Sequence, residues 1–257
     1  HYYKNKLITT LTARPLLCTI DNREITIYYV DYLCVDKKFR KQGFAQKSIY
    51  SYYVNHCELL NSKDLVCLFK REDSKNIIVP LCSYKTFDYR VKDWELYVEL
   101  DKKYSVISYN QDTKTLFQDY IKNLKDKFKC FITTTQENIE ILVNKGHIFI
   151  TGVQEGDKLM GIYVFHDSYT FYEEQRSLEF IASYKDDNLK PDDFIKGFSL
   201  SLLEIKKSKD FNRLLVEEVS HNLIIAYNLV QTYDPFEVSN SSFYIYNYAR
   251  YPIACDK

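Results

Sequence analysis

Glycine is scarce in this chain: 6 residues in 257, beside 24 tyrosines and 16 phenylalanines. Flexible glycine is not used here as filler, so each one marks a place where the backbone has a reason for it. No charge prevails either. Lys and Arg number 35, Asp and Glu 35, and the formal net charge is zero. A general nucleic-acid binder needs a basic excess, so that class loses its main support and no nucleic-acid partner is expected. No apolar run nears the roughly 20 residues of a membrane helix, so no membrane span is expected. The seven cysteines, Cys18, Cys34, Cys57, Cys67, Cys82, Cys130 and Cys255, contain no C-x-x-C pair. That argues against a disulfide framework or a structural zinc site. Free thiols in the cytoplasm, with no metal, are the expectation. Met160 is the sole methionine, and no signal-peptide pattern follows His1. Residues are therefore expected to precede His1 in the precursor.

What is present is ample for a core. Apolar residues make up 46% and charged residues 27%, the balance of a globular chain. The chain has room for one large domain or two modest ones. Residues 7–20 and 25–35 read as a hairpin, rich in β-branched and aromatic side chains, around the polar turn at 21–24. A basic loop, 37–42, and Gly43 lead into a helix from Phe44 to about Leu59. Ala45, Ile49, Tyr52, Tyr53 and His56 share one of its faces. Strands are expected at 64–69 and 77–82. From about residue 102 the pattern restarts: a strand at 104–109, helices at 113–128 and 135–144, and strands at 147–153, 160–166 and 178–184. A helix at 191–207, a strand at 214–217, a helix at 221–231 and a strand at 243–248 complete it. No low-complexity linker intervenes. The expectation is an α+β fold of two halves, 1–103 and 104–257, packed as one body, with mixed sheets flanked by helices.

The chemistry is concentrated in Leu33-Cys34-Val35-Asp36-Lys37-Lys38-Phe39-Arg40-Lys41-Gln42-Gly43-Phe44-Ala45. A strand ends, a turn follows, and a helix begins. Backbone N–H groups of the turn and first helical turn, with the positive end of the helix dipole, suit a pyrophosphate. Gly43 and small Ala45 let phosphate approach, and Lys37, Lys38, Arg40 and Lys41 add positive charge. Arg40-x-x-Gly43-x-Ala45 fits the R/Q-x-x-G-x-G/A pattern of the GNAT acyl-CoA transferases. A solvated basic turn is the plain alternative.

The wider segment, YLCVDKKFRKQGFA, resembles the N-myristoyltransferase signature. The resemblance continues in order through LITTLTARPLLCTI, VCLFKREDSKNIIVPLCSYKTF, LFQDYIKNLKDKF, TTQENIEILVN, KKSKDFNRLLVEEVSHN and YIYNYARYP. It implies two GNAT-like halves, the first carrying the phosphate loop and the second on the peptide side. It implies transfer of a long-chain acyl group, myristoyl first, from acyl-CoA to the N-terminal glycine amine of partner proteins by direct attack on the thioester. The backbone N–H groups of Tyr32 and Leu33 would polarise the thioester carbonyl. Tyr32, Leu33, Cys34, Val35, Arg40, Lys41, Gln42, Gly43, Phe44 and Ala45 would hold the CoA. Ser168 would touch the peptide, and the terminal carboxylate of Lys257, beside Asp256, would take the amine's proton. Cys34 is not needed as a nucleophile. The sequence departs from the family in four places. The family's N-terminal region before the hairpin is missing, the tail after Pro252 is shorter, Lys70-Arg71-Glu72 replaces a small Thr-Ala-Gly stretch that lines the glycine pocket, and the loop Arg40-Lys41-Gln42-Gly43 carries a Gly closer to acetyltransferases. Two other functions stay open: a protein N-acetyltransferase using acetyl-CoA, and a non-catalytic GNAT-like protein that binds a partner or lipid. His56, His147, His166 and His221 show no metal spacing and read as core or surface. Glu173-Glu174, Asp186-Asp187 and Asp192-Asp193 read as solvated neighbours.

Overall fold

In the computed structural model, residues 2–61, 65–72, 79–92, 94, 96, 98–172, 174–248 and 251–254 are described. The elements run in this order: β1 (Tyr2–Tyr3), β2 (Lys6–Leu7), β3 (Thr9–Ile20), β4 (Arg23–Val35), α1 (Phe44–Leu60), β5 (Cys67–Glu72), β6 (Cys82–Arg90) and β7 (Tyr104–Ser108). Then come α2 (Lys114–Asn123), β8 (Cys130–Thr133), α3 (Gln136–Asn144), β9 (Ile148–Glu155), β10 (Lys158–Tyr172) and β11 (Gln175–Lys185). The last are α4 (Pro191–Lys206), β12 (Arg213–Glu217), α5 (Asn222–Thr232) and β13 (Glu237–Tyr246). The fold is α+β, as expected. Apart from the β1–β2 ribbon, the strands form one mixed sheet of eleven, ordered β7-β9-β10-β11-β12-β6-β13-β5-β4-β3-β8. β13 lies between β5 and β6, and β8 edges β3, so late segments complete the sheet begun by the first hairpin.

β10 runs on to Tyr172 and β13 begins at Glu237, well outside the expected bounds, and two further strands differ. β6 begins at Cys82, where the expected strand ended, and β8 follows a helix that stops at Asn123 and tightens into a 3₁₀ turn, Leu124–Lys127. On α1, Ile49 is exposed rather than inward, and the buried position is Ser48, whose hydroxyl meets that of Thr9 at 3.1 Å.

Side-chain alternation divides the sheet into two faces. On one, α4 and α5 cover Phe87, Tyr89, Phe165, Leu178, Phe180 and Leu214, the largest apolar cluster. α4 sits so close that a Cβ on Gly197 would meet Val153 Cγ2 at 2.4 Å and Tyr163 Oη at 2.5 Å. α1 lies on the same face, with Tyr53 edge-on to Tyr246 of β13. On the other face, α2 and α3 bury Ile150, Ile162 and Phe117 at one end, and Ile20, Ile27 and Leu68 cluster at the other. Between these two clusters the sheet carries polar side chains, among them Thr86, Ser177, Glu217 and Ser241, all buried.

Candidate functional site

The long β4 strand is regular until Asp31. There Thr12 pairs with Asp31 while Thr10 pairs with Cys34, so one residue of β3 faces two of β4. This is a β-bulge at Tyr32–Leu33. Tyr32 takes φ 48°, a left-handed conformation that an aromatic side chain adopts at a cost of roughly 1–2 kcal/mol. Its N–H donates to Asp31 Oδ1 at 3.0 Å. On its other side β4 pairs with β5 only at Tyr28–Cys67 and Tyr29–Leu68. Beyond Tyr29 the two parallel strands separate, and the bulge stands on one wall of the gap.

The strand then runs into the basic loop. Asp36 Oδ1 accepts the Lys38 N–H at 2.9 Å and caps a 3₁₀ turn, Lys37–Phe39, while its Oδ2 meets Lys6 Nζ at 2.6 Å. These contacts hold the Asp36 carboxyl below its ordinary range, the Lys6 hydrogen bond first. Arg40 Nε donates to the Val35 carbonyl at 3.2 Å and Gln42 Nε2 to that of Lys38 at 3.2 Å. Lys41 takes φ 61° and Gly43 φ 78°, so the chain turns through two left-handed residues into α1. Gly43 is the N-cap and brings no side-chain cap. The first bond of the helix runs from the Lys47 N–H to the Gly43 carbonyl at 3.1 Å, so the amides of the first turn lack helical acceptors. A Cβ on Gly43 would meet nothing within 4 Å.

A cleft of about 470 Å³ opens between the end of β4 and the start of α1. Leu33, Cys34, Val35, Arg40, Lys41, Gly43, Phe44 and Ala45 line it, which brings together eight of the expected residues. Tyr32 and Gln42 flank it without lining it. Phe39 and Gln46 also line the wall; sequence reasoning missed both. Phe39 meets Phe44 edge-on at 5.9 Å and so ties the loop to the helix start. Tyr32, Leu33, Cys34, Ile49 and Tyr50 are exposed, an apolar surface beside the cleft.

Ser168 stands elsewhere, on β10 at the polar strip, with its hydroxyl 3.5 Å from that of Ser177. Near it His166 Nδ1 and Glu179 Oε2 meet at 2.9 Å. Burial works against charge on Glu179, but the His166 hydrogen bond, His166 and Lys70 charge and the Ser168 hydroxyl hold its pKa below the ordinary value. Lys257 and Asp256 lie outside the described residues. The last described stretch lies against the Ile20–Ile27–Leu68 cluster, where the Ile253 N–H donates to the Leu81 carbonyl at 2.7 Å. Leu81 in turn donates to Phe243, the partner of Lys70 across β13 and β5. No described helix is long and apolar enough to cross a membrane.

No protein-family model matches the sequence, and no curated protein does. Solved structures do match. The N-myristoyltransferase of Saccharomyces cerevisiae with bound myristoyl-CoA matches 98% of this chain and 69% of its own, at 14% identity and TM-score 0.71. A GCN5-related N-acetyltransferase from Anabaena variabilis matches 94% of this chain and 61% of its own, at 9% identity and TM-score 0.54. One from Kribbella flavida matches 95% and 58%, at 8% identity and TM-score 0.52. The chain spans about two thirds of the yeast structures and less of the acetyltransferases. It has the fold of these proteins.

Proposed function

We propose that this chain is an acyl-CoA-dependent N-acyltransferase that moves a long-chain acyl group, myristoyl first, onto the N-terminal glycine amine of partner peptides. The observation that carries this reading is the join of a bulged strand end, a left-handed loop and an uncapped helix start around one cleft. Open amides and the helix dipole at Gly43–Gln46 suit the pyrophosphate of CoA. Lys37, Lys38 and Lys41 supply positive charge at the loop. The thioester then lies along the end of β4, with its carbonyl at the bulge. Of the two bulge amides, that of Tyr32 is engaged by Asp31, so Leu33 N–H is the donor first available to the developing oxyanion. The exposed apolar surface beside the cleft suits the acyl tail, and the gap between β4 and β5 suits the incoming amine. Ser168 would contact the peptide, and the Lys257 carboxylate is one proton acceptor that the family resemblance offers; the free cysteines suit the cytoplasm.

The loop itself, Arg40-x-x-Gly43-x-Ala45, favours a second reading, a protein N-acetyltransferase using acetyl-CoA. One experiment tests both. The purified full chain is incubated with myristoyl-CoA or acetyl-CoA and a peptide bearing an N-terminal glycine. Free CoA and the acylated peptide are then read by mass spectrometry. Myristoylated peptide supports the first reading and acetylated peptide alone the second. Acyl-CoA binding without either product would make this a binding protein.

A further inference from the structure

The polar strip between the two apolar clusters holds a buried carboxylate that the acyl-CoA cleft does not use. Glu217 ends β12, and its Oε1 lies 2.5 Å from Lys70 Nζ on β5. We propose that Glu217 is the proton acceptor for the attacking amine in the transfer described above, a role that rests on that reading. Placement is the first ground. The β4–β5 pairing ends at Tyr29 and Leu68, so Lys70, two residues on, stands on the β5 wall of the gap at the level of Asp31, across from the bulge. Through Lys70 the Glu217 carboxylate is tied to the β5 wall of that gap, on the face of the sheet turned away from α1.

The second ground is what this carboxylate already holds. Lys70 brings an alkylammonium group to it, and a protonated substrate amine is the same chemical group. Lys70 keeps a quarter of its side-chain surface exposed and Glu217 a tenth, so the pair is not sealed from solvent. Around Glu217 stand Lys70 from β5, Tyr84 from β6, whose hydroxyl donates to Oε2 at 3.4 Å, Glu179 from β11 with His166 from β10 behind it, and Tyr29 from β4. Burial raises the Glu217 pKa and Glu179 adds to this; Lys70 and Tyr84 pull it down without restoring the ordinary value. A carboxyl raised in this direction is a better match for an amine whose own value lies near 8.

The step balances. The ammonium gives one proton to Glu217. The neutral amine forms the C–N bond at the thioester carbonyl, the nitrogen loses a second proton as the C–S bond breaks, and CoA leaves as the thiol. Glu217 then returns its proton to solvent. Lys70 is a positioning residue, since it acts through Glu217.

The test is single-turnover transfer to a glycine peptide between about pH 6 and 10, the span over which an N-terminal amine deprotonates. It is run on the intact chain, on Glu217→Gln and on Lys70→Met, with acyl-CoA affinity and thermal unfolding recorded for each. Glu217→Gln is expected to bind acyl-CoA as the intact chain does and to transfer about 10²–10⁴-fold more slowly at neutral pH. The deficit should close as the amine deprotonates by itself at high pH. Lys70→Met removes the cation that lowers Glu217, so the acid limb of the rate profile should move to higher pH. Equal rates, or a deficit that is the same at every pH, overturn the proposal. If Glu217→Gln does not fold, an unmoved limb in Lys70→Met overturns it. An intact chain that binds no acyl-CoA overturns instead the acyltransferase reading, because Glu217 lies outside the acyl-CoA cleft.

Discussion

Lys70 on β5 and Glu217 on β12 meet at 2.5 Å although β13 and β6 lie between their strands in the sheet. The two side chains reach toward each other over β13 and β6 on one face of the sheet, and they join residues 147 positions apart in sequence. Because the pair is largely buried, removing the cation alone leaves a carboxylate without its main compensation. Lys70→Met is expected to destabilise the fold by about 2–4 kcal/mol, somewhat under the full cost of a broken buried pair because Lys70 is a quarter exposed. Lys70→Met with Glu217→Gln should recover part of that loss. A double-mutant cycle by urea unfolding checks this; additive losses would show that the pair is not coupled.

Asp167 gives the opposite pH sign. Burial alone would raise its pKa, but the Arg176 hydrogen bond, the Tyr169 amide and the Arg176 and Lys209 charges hold it below the ordinary value. A carboxyl depressed in the folded state contributes stability that is present above the unfolded value, about 3.9, and is lost as pH falls through the folded value. The stability gap between the intact chain and Asp167→Asn should therefore be full at neutral pH and shrink below about pH 4. Urea midpoints compared at neutral and acidic pH measure it, and a gap that widens with acid would contradict the assignment.

How much of this was legible in the sequence follows from how local each signal is. The first hairpin, the basic loop and α1 are written in contiguous residues: β-branched and aromatic runs, a polar turn, and one glycine in a glycine-poor chain. Gly43 does sit at positive φ. The bulge at Tyr32–Leu33 leaves no mark in composition and was reached only through the family resemblance. β8, four residues long, has too little sequence to show a period and is defined by its pairing with β3. Ile49 shares a helical face with Ala45 and Tyr52 by count, yet Ser48 takes the buried position against Thr9 of β3. The polar strip was illegible because Lys70, Glu179 and Glu217 come to one face only through the strand order and register of the sheet. His166, read as one scattered histidine, gained meaning only beside Glu179.

Acyl-chain length is open to a thermal-shift measurement. Tyr32, Leu33, Ile49 and Tyr50 offer exposed apolar surface next to the cleft, and burial of each CH₂ is worth about 0.8 kcal/mol. Myristoyl-CoA should raise the unfolding temperature more than acetyl-CoA at equal concentration. Equal shifts would place the tail in solvent and favour the acetyltransferase reading.

The two candidate proton acceptors separate by deletion. Removing residues 255–257 keeps Ile253, which packs against the Ile20–Ile27 cluster, and so should spare the fold. With Glu217 as the base, transfer should persist within a few fold. A loss of about 10²–10⁴, the usual range for a general base, would assign the proton to the terminal carboxylate.

The claim on which the rest depends is that the β4–loop–α1 cleft binds the phosphates of acyl-CoA, and Gly43 tests it most directly. Asn tolerates the left-handed backbone that Gly43 adopts, and a Cβ there meets nothing within 4 Å, so Gly43→Asn should fold as the intact chain does. Its side chain would nevertheless project into the space reserved for phosphate. Titration of myristoyl-CoA by calorimetry should show one site on the intact chain and a loss of about 1–3 kcal/mol in Gly43→Asn, the usual range for overpacking. Equal affinity in the two proteins, at equal unfolding temperature, would contradict the assignment of the cleft.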